Sequence, residues 1–268
     1  MNTFFLDRLN SEPHALAFAG QSTPWPVTLA DQSANPVLDE ALHTHADAAQ
    51  ALLYPVSADL LATTGRPVDL FGFEPNPARL GAAAAASASV PGIALAQLGA
   101  LLDAASLGYN PAVAKPVAVL GHSQGVLAVH MVQAIVEAGS IEAASAQIDE
   151  ILAIATLIGV AGTRQARQLG LAARHGEATP MLSVKDITRA QVDALIKRVS
   201  GARGPIAVAV TNSATHYVLS GYPEDLAAFG VEVAKEHKHQ AKLREEEVRG
   251  GRVFEPVLEY LDVTLPFH

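Results

Sequence analysis

The sequence predicts a mixed α/β fold, in which a core built around parallel strands is followed by a smaller α+β unit. Three observations carry this prediction. A short apolar run, Val117 to Leu120, ends at the glycines and serine of residues 121–125, and a helical pattern follows at once over residues 126–134. Beyond Pro180 the pattern alternates between short strands and amphipathic helices. Half of the 268 residues are hydrophobic, which is ample for a buried core.

Composition excludes several classes of function. The formal net charge is -9 and the sequence has no basic patch interleaved with aromatic residues, which argues against nucleic-acid binding. The absence of cysteine excludes disulfides and thiolate chemistry and fits a reducing cytoplasm. The N-terminus, Met1 to Arg8, lacks the basic start and long apolar stretch of a secretory signal. We therefore expect a folded, cytoplasmic protein.

The first half of the chain reads as a short strand followed by helices. Ala15 to Ala19 is predicted to be a buried strand that ends at Gly20-Gln21, and Ser22 to Pro26 to be a loop. The stretch from Leu80 to Leu102 carries no charge, but Pro91-Gly92 interrupts it, so we expect a buried helix starting near Pro91 rather than a membrane span. Further helices are predicted over residues 35–61 and 141–168.

The second half predicts a compact unit of four strands and two helices. Thr188 and Gln191 have the spacing of a capping box at the start of the first helix, and Gly204-Pro205 separates that helix from the next strand. The order β-α-β-β-α-β is that of a split βαβ, or ferredoxin-like, unit. The predicted strands are residues 181–184, 206–211, 217–220 and 257–265, and the predicted helices are residues 188–199 and 223–242.

The break at Gly121-His122-Ser123-Gln124-Gly125 is the pattern of a nucleophile elbow. Its glycines let strand and helix pass closely, and its strained turn exposes the Ser123 hydroxyl. The amide of Gln124 then lies at a helix N-terminus, where it can stabilise an oxyanion. This arrangement predicts acyl transfer through a serine ester. An ordinary turn is the alternative, since Gly-x-Ser-x-Gly arises by chance in a chain with 20 glycines.

The elbow and the later strand pattern together set the predicted domain boundaries. Residues 1–174 are expected to form an α/β-hydrolase-like core with a parallel sheet. Residues 175–265 are expected to form the inserted ferredoxin-like subdomain, and residues 266–268 to return to the core.

Four motifs occur in order along the chain: Phe18-Ala-Gly-Gln21, Gly121-His-Ser-Gln-Gly125, Asn212-Ser213 with Val218-Leu-Ser-Gly221, and Pro266-Phe-His268. Together they resemble the acyl-carrier-protein S-acyltransferase family, the malonyl and acetyl transacylases of fatty acid and polyketide synthesis. Gln124 and the segments 89–92 and 248–254 most resemble the acetyltransferase domain at the start of the fused bacterial type I fatty acid synthase. The resemblance implies transfer of an acetyl group from acetyl-CoA, through a Ser123 ester, to the phosphopantetheine thiol of an acyl carrier protein.

The resemblance also implies roles for single residues. His268 matches the family's general base, which Ser123 requires because a free hydroxyl is a poor nucleophile at neutral pH. Gln21 and Gln124 match the positions whose backbone amides form the oxyanion hole. His122 is expected to line or support the pocket, with a structural histidine as the alternative. Asn212 either faces the cleft or forms a turn.

The acyl specificity is predicted from one position. Malonyl-specific relatives carry an arginine in a Leu-Arg-Gly-like context, where it pairs with the malonyl carboxylate. The matching segment here is Leu157-Ile158-Gly159, and Ile158 cannot satisfy a buried carboxylate. The resemblance therefore implies a neutral cargo, acetyl before longer acyl groups. Arg164 and Gln168 lie further along the same helix and are the residues that would alter this expectation.

The same resemblance implies the partners and the setting. It implies no cofactor in this segment, with acetyl-CoA and carrier-bound phosphopantetheine as substrates. An acyl carrier protein and other synthase domains are the implied partners, in a large cytoplasmic homo-oligomer without nucleic acid or membrane. Relatives continue beyond the histidine matched by His268, so the core is expected to be truncated at its C-terminus. The basic residues between Lys235 and Arg252 form either a solvated helix face or a docking surface for the carrier.

Two other classes of function remain open. A serine esterase or thioesterase of the α/β-hydrolase type needs an acid between serine and histidine, for which Asp186 and Asp262 are candidates. A non-catalytic assembly segment of a multienzyme would keep the elbow only as structure. The pairs His43/His45 and His237/His239 have metal-like spacing but no third ligand nearby, so solvated helix faces are expected instead of metal sites.

Overall fold

The structure is a computed structural model, and it describes residues 3–20, 24–64, 70–72, 86–171, 178–199, 204–247, 255–261, 263 and 265–266. The chain divides into two compact units, Met1–Gln165 and Ala166–His268. The predicted boundary at residues 174 and 175 falls between 172 and 177, outside the described residues, and stays a prediction.

The first unit contains a parallel pair of strands. Strand β1 (Ala15–Phe18) pairs with β2 (Ala118–Gly121), with Ala15 opposite Ala118 and Phe18 opposite Gly121. The carboxyl ends of parallel strands meet at one edge of a sheet, which is where α/β folds bind their ligands. The segments that follow β1 and β2 therefore leave the sheet side by side.

Helices surround this pair. They are α1 (Thr3–Ser11), α2 (Trp25–Ser33), α3 (Pro36–Thr64), α4 (Ala86–Ser106), α5 (Pro111–Ala114), α6 (Val126–Ala138) and α7 (Ser145–Gln168), the last of which runs into the second unit. The helices predicted at residues 35–61 and 141–168 are confirmed, with ends shifted by a few residues. A strand is present at the predicted residues 15–19, but the prediction that it is buried is wrong, because its residues are exposed or half-buried.

The centre of the first unit is α4, whose residues 86–99 are all buried. The predicted start of this helix near Pro91 is wrong, because the helix begins at Ala86 and contains Pro91. Gly92 does not interrupt the helix. A Cβ at Gly92 would lie 2.5 Å from the Trp25 indole, so the glycine lets that fully buried ring pack against the helix backbone. Burial of apolar surface outweighs the helix-breaking tendency of the Pro-Gly pair.

The predicted loop over residues 22–26 is wrong at its end. Helix α2 begins at Trp25 with Pro24 as its N-cap and Pro26 in its first turn. Proline suits this position because its missing N–H is one that the first turn leaves without a partner. Residues 21–23 lie outside the described residues.

Among the described residues, helices α4 and α7 have the length and hydropathy of a membrane span. In α4, 67% of the most apolar window is buried inside the protein, and in α7 39% is buried. The burial of α4 is typical of the core helix of a folded unit, as was predicted for the uncharged stretch.

The second unit is built on a four-stranded antiparallel sheet. The strands are β3 (Met181–Lys185), β4 (Ala207–Ser213), β5 (His216–Ser220) and β6 (Val257–Tyr260), and the helices between them are α8 (Arg189–Val199) and α9 (Pro223–Glu247). The strand order is β4-β5-β3-β6. This order, in which the first and third strands of the unit are neighbours at the centre, confirms the predicted ferredoxin-like arrangement.

Alternation along the strands decides which face the helices cover. Leu182 and Val184 point to a core that includes Leu195 of α8 and Phe229 of α9, so both helices pack on one face. Met181 and Val218 point to the other face, with Val263. At the start of α8, Gln191 Oε1 accepts from the Thr188 backbone N–H at 2.9 Å, which confirms the predicted capping box.

Candidate functional site

Ser123 lies on a strained turn at the carboxyl end of β2. Its φ is +52°, a left-handed conformation that costs a non-glycine residue about 1–2 kcal/mol. Residues 123–125 form one 3₁₀ turn, and α6 starts directly after it at Val126. Strain of this kind persists where the surrounding structure fixes it, and it clusters at functional sites. The predicted elbow is therefore present as geometry.

The glycines of the elbow allow the close passage of strand and helix. A Cβ at Gly121 would lie 2.5 Å from the backbone of Gly125 and Val126. A Cβ at Gly125 would meet the Phe18 carbonyl and would lie 2.8 Å from the Ala19 carbonyl oxygen. No side chain fits at either position, so these glycines hold the turn against the end of β1.

Gly20 brings the segment after β1 against the serine. A Cβ at Gly20 would clash with the His122 carbonyl and would lie 3.0 Å from Ser123 Cβ and 3.3 Å from the Gln124 amide nitrogen. The His122 backbone N–H donates to the Phe18 carbonyl at 2.9 Å, which extends the parallel ladder to the elbow. The bare backbone of Gly20 thus keeps open the space beside Ser123 and the Gln124 amide.

The backbone amide and the side chain of Gln124 have different roles in the elbow. Its amide belongs to the first turn after Ser123, where N–H groups have no acceptor within the helix and favour a developing negative charge. Its side chain donates from Nε2 to the Val90 carbonyl and so ties the elbow to α4. The second predicted oxyanion residue, Gln21, lies outside the described residues.

The predicted base, His268, also lies outside the described residues. Pro266, two residues earlier, lines a cavity of about 290 Å³ in the second unit. The other residues around this cavity are Leu169, Leu171, Pro205, Ser220, Gly221 and Tyr222. Its lining is mainly apolar.

The two predicted pocket residues of the first unit are both exposed. His122 precedes the serine on the turn with an extended backbone, at φ -87° and ψ 122°. Ile158 lies on α7 and is 45% exposed, one helical turn after Ile154, which is 50% exposed. An aliphatic side chain exposed to this extent faces space that a ligand can enter. Arg164, six residues further along α7, is exposed as well.

Asn212 belongs to a polar cluster on the sheet of the second unit. Its Nδ2 lies 3.4 Å from His216 Nε2, and Ser183 Oγ lies 3.1 Å from the same nitrogen. Both neighbours can donate, so Nε2 of His216 is placed as an acceptor. Asn212 is exposed, whereas Ser183 is only 3% exposed. Asp186, the candidate acid of an esterase, is exposed directly after β3, and Asp262 lies outside the described residues.

The two histidine pairs differ in their burial. In the second pair, His237 is half-buried and His239 is exposed, both on α9. The expectation of a solvated face is wrong for His45, which is 8% exposed and has Nδ1 2.6 Å from Asp149 Oδ1. His43 stacks on Phe71 with ring centroids 3.7 Å apart. Within the described ranges, no group of three or more His, Asp or Glu side chains is placed to hold a metal ion.

Sequence reasoning missed Gly20 and Gln97 as parts of the site. Gln97 is 9% exposed and donates from Nε2 to the Ala19 carbonyl at 2.6 Å. The available signal was weak: Gln97 is a polar residue inside a long uncharged stretch, and Gly20 directly precedes a motif glutamine. Neither pattern tells which segments meet in space.

Comparison with protein families adds information about the second unit. Residues 180–260 match the family model of the fatty acid synthase central AT domain. This match covers the ferredoxin-like sheet and its helices, and it does not extend to the elbow. No curated protein matches the sequence.

Comparison with solved structures concerns nearly the whole chain. The malonyl CoA-acyl carrier protein transacylase from Clostridium perfringens is similar with a TM-score of 0.53 and 17% identity, covering 96% of this chain and 63% of that one. A loading acyltransferase from the avermectin modular polyketide synthase is similar with a TM-score of 0.52 and 17% identity, covering 94% of this chain and 62% of that one. A malonyl-transacylase solved with its type II polyketide synthase acyl-carrier protein is similar with a TM-score of 0.51 and 18% identity, covering 82% of this chain and 59% of that one.

These structures establish the fold. The chain has the mixed α/β arrangement of these acyltransferases, which confirms the predicted fold class, and it spans less than two thirds of the length of each.

Proposed function

We propose that the protein is an acyltransferase that moves an acetyl group from acetyl-CoA, through an ester on Ser123, to the phosphopantetheine thiol of an acyl carrier protein in fatty acid synthesis. The observation that carries the proposal is the backbone of Ser123. A non-glycine residue at φ +52°, between a parallel strand and a helix, has the geometry of a nucleophile elbow. The match of residues 180–260 to a fatty acid synthase domain supports the metabolic setting.

In the first half-reaction, Ser123 Oγ bonds to the thioester carbonyl carbon as its proton passes to the His268 imidazole. The backbone amides of Gln21 and Gln124 stabilise the oxyanion that forms. Collapse of the tetrahedral intermediate breaks the carbon–sulfur bond, and the CoA sulfur takes the proton from His268. The products are an acetyl ester on Ser123 and free CoA.

The second half-reaction runs through the same groups. The carrier thiol gives its proton to His268 as the sulfur bonds to the ester carbonyl carbon. Collapse then breaks the carbon–oxygen ester bond, and Ser123 Oγ takes back the proton. His122 lines the entrance beside the serine. General-base assistance of this kind contributes about 10²–10⁴-fold in rate.

We assign acetyl as the preferred acyl group. Ile158 presents methyl groups where a malonyl carboxylate would need a cation, and a carboxylate left unpaired in a dry pocket costs several kcal/mol. This assignment depends on the matching of Ile158 to the arginine of malonyl-specific relatives. The exposure of Ile158 on α7 supports it, because the side chain is accessible to a ligand.

The proposed setting follows from the same relatives. An acyl carrier protein is the partner, since one structurally similar malonyl-transacylase was solved with its carrier. We place the chain in the acetyltransferase region of a fused, cytoplasmic fatty acid synthase with further domains and a large homo-oligomeric assembly. It uses acetyl-CoA and carrier-bound phosphopantetheine as substrates and needs no cofactor of its own in this segment.

The fate of a labelled acetyl group tests the proposal. The protein is incubated with radiolabelled acetyl-CoA, with and without phosphopantetheinylated carrier protein, and protein ester, carrier thioester and free acetate are measured. A durable ester on Ser123 that passes to the carrier supports the transferase. Rapid release of free acetate without carrier identifies a hydrolase instead, and the absence of any ester identifies a non-catalytic segment.

The acetyl preference has its own test with a matched control. Ile158→Arg is expected to raise malonyl transfer and lower acetyl transfer, because the new guanidinium pairs with the carboxylate and faces a methyl group unfavourably. A desolvated pair of this kind is worth roughly 3–5 kcal/mol, so the malonyl-to-acetyl ratio is expected to rise by at least about 100-fold. Ile154→Arg, one turn earlier and equally exposed, is expected to leave the ratio unchanged. Equal loading of malonyl and acetyl by the unchanged protein would contradict the assignment and point to Arg164.

A further inference from the structure

One face of α4 holds both chain segments that build the candidate site. Near the start of the helix, the Val90 carbonyl accepts a hydrogen bond from Gln124 Nε2 in the elbow. Further along, Gln97 Nε2 donates to the Ala19 carbonyl in the segment after β1. Val90 and Gln97 are seven residues apart and so lie on the same side of the helix, about 10 Å apart along its axis.

The Ala19 carbonyl is the first one beyond the end of β1. The strand ends at Phe18, so the sheet ladder does not reach Ala19, and Gln97 supplies its partner at 2.6 Å. Fixing this carbonyl fixes the plane of the peptide between Ala19 and Gly20, since that peptide is rigid. The next residue is Gly20, whose backbone lies against Ser123 Cβ and the Gln124 amide.

We propose that Gln97 is a positioning residue for the reaction at Ser123. By holding the Ala19 carbonyl it sets the direction in which the chain leaves β1, and with it the distance between Gly20 and the elbow. Gln97 acts through the backbone and does not contact the reacting atoms. The catalytic part of this inference rests on the proposed function, and the conformational part does not.

The chain offers a matched control in Gln32. Its Nε2 donates to the carbonyl of Ala96, which also belongs to α4, at 3.0 Å. In both glutamines Oε1 is buried and has no hydrogen-bond partner among the described residues. The two side chains therefore make the same kind of bond beside the same helix. Only the bond of Gln97 reaches the segment beside Ser123.

The experiment compares Gln97→Leu with Gln32→Leu in the full chain. Both changes keep the side-chain volume and remove one amide donor. Single-turnover acetylation of Ser123 by acetyl-CoA gives the maximal rate and the half-saturating concentration, and backbone hydrogen exchange is followed in the peptide that contains Ala19 and Gly20. Because loss of one oxyanion donor costs roughly 10²–10³-fold, we expect misplacement of this segment to lower the maximal rate of Gln97→Leu by about 10- to 100-fold. The half-saturating concentration should change by less than about threefold, within the range of uniform binding effects.

Gln32→Leu is expected to keep both kinetic constants and the exchange rate near Gly20, although it loses the same kind of hydrogen bond. Gln97→Asn keeps the amide but shortens the side chain by one methylene. Its acetylation rate is expected to fall as that of Gln97→Leu does, and it replaces the leucine variant in the comparison if that variant does not fold. Equal acetylation rates for the Gln97 variants and the unchanged protein would overturn the proposal, as would equal losses in Gln32→Leu.

The two proposals fail in different ways. If the unchanged protein forms no ester with acetyl-CoA, the proposed function fails. The hydrogen-exchange comparison then still decides the role of Gln97, because faster exchange near Gly20 in Gln97→Leu but not in Gln32→Leu supports it. Unchanged exchange in both variants overturns it.

Discussion

Two serines of this chain lie close to the groups expected around a nucleophile, and they differ in every other respect. Ser123 lies on a left-handed turn at the end of a parallel strand, half-buried, beside an amide of a helix first turn. Ser183 lies in the middle of a regular antiparallel strand, is 3% exposed, and has a histidine nitrogen 3.1 Å from its hydroxyl. Ser183 and His216 therefore form a serine–histidine pair.

The difference teaches that a serine–histidine distance alone does not identify a nucleophile. The hydroxyl of Ser183 is buried within its strand, and His216 accepts from Asn212 as well. Ser123 is held in a conformation that costs free energy, and it is only half-buried. Backbone strain together with accessibility therefore favours Ser123 as the reactive group.

The largest expected difference is between the acetyl-transfer rates of the variants that lack the Ser123 hydroxyl and the Ser183 hydroxyl. Ser123→Ala should lower acetyl transfer by roughly 10³-fold or more, since the nucleophile acts as one unit with its base. Ser183→Ala should transfer acetyl at nearly the unchanged rate. Steady-state transfer to a carrier protein measures both. A Ser183→Ala variant as inactive as Ser123→Ala would break the comparison.

Closing the space between strand and helix is expected to give the next largest effect. Gly121→Ala places a Cβ 2.5 Å from backbone atoms of Gly125 and Val126, so the elbow must shift, at about 3 kcal/mol in stability and with loss of Ser123 acetylation. Gly139→Ala is the control, because Gly139 has φ +91° but nothing lies within 4 Å of its added Cβ.

The control should cost only the conformational strain, about 1–2 kcal/mol, and leave acetylation intact. Chemical unfolding and acetylation of the folded variants measure the two effects separately. Acetylation by Gly121→Ala at the unchanged rate would show that the elbow tolerates a wider spacing than the structure gives.

The hydrogen bond of Ser183 is expected to matter for stability alone. Ser183→Ala removes one neighbour of His216 and should cost about 1 kcal/mol, the net value of a typical internal hydrogen bond. The melting temperature should then fall by about 2–4 °C for a domain of this size. Calorimetry checks the value. A rise in the melting temperature would show that the pair is strained and not stabilising.

The smallest effect concerns a charged side chain on helix α9. Hydrogen bonds from Arg198 and then Gln240 lower the pKa of Glu236 below its ordinary value. A carboxylate with a lowered pKa in the folded state stabilises the protein above the ordinary glutamate range, roughly pH 4–5, and loses that contribution as the pH falls through the lowered pKa.

Glu236→Gln should therefore cost about 0.5 kcal/mol at pH 7, as is typical of a pair with an exposed partner, and the difference should disappear in acid. Urea unfolding at pH 7 and pH 3 measures it. Acetyl transfer should not change. If the loss of stability caused by Glu236→Gln became larger as the pH falls, the assigned direction of the pKa shift would be contradicted.

Much of the fold followed from local sequence rules. The strands predicted at residues 206–211 and 217–220, the capping box at Thr188 and the elbow glycines each depend on a few neighbouring residues, and each prediction was confirmed. In two places where local rules failed, a distant contact was the cause. Pro91-Gly92 reads as a helix break until the Trp25 ring is seen against Gly92, and His45 reads as exposed until Asp149 is seen beside it.

The residues of the candidate site also fall into those that local sequence rules predict and those that depend on distant contacts. Ser123 and Gln124 were predictable because the elbow is a short continuous motif with a defined backbone. Gly20 and Gln97 were not, because their importance depends on which segments the parallel pairing of β1 and β2 brings to one edge. His268 and Gln21 lie outside the described residues, so their roles stay predictions.

Mapping the acetylated residue tests the central claim most directly. The protein is incubated briefly with acetyl-CoA, quenched in acid, digested, and the peptides are sequenced by mass spectrometry, with hydroxylamine treatment to confirm an ester. We predict one hydroxylamine-sensitive acetyl group, on Ser123, in the peptide that contains Gly121 to Gly125. An acetyl ester on Ser183, or a protein that carries none on Ser123, would contradict the account.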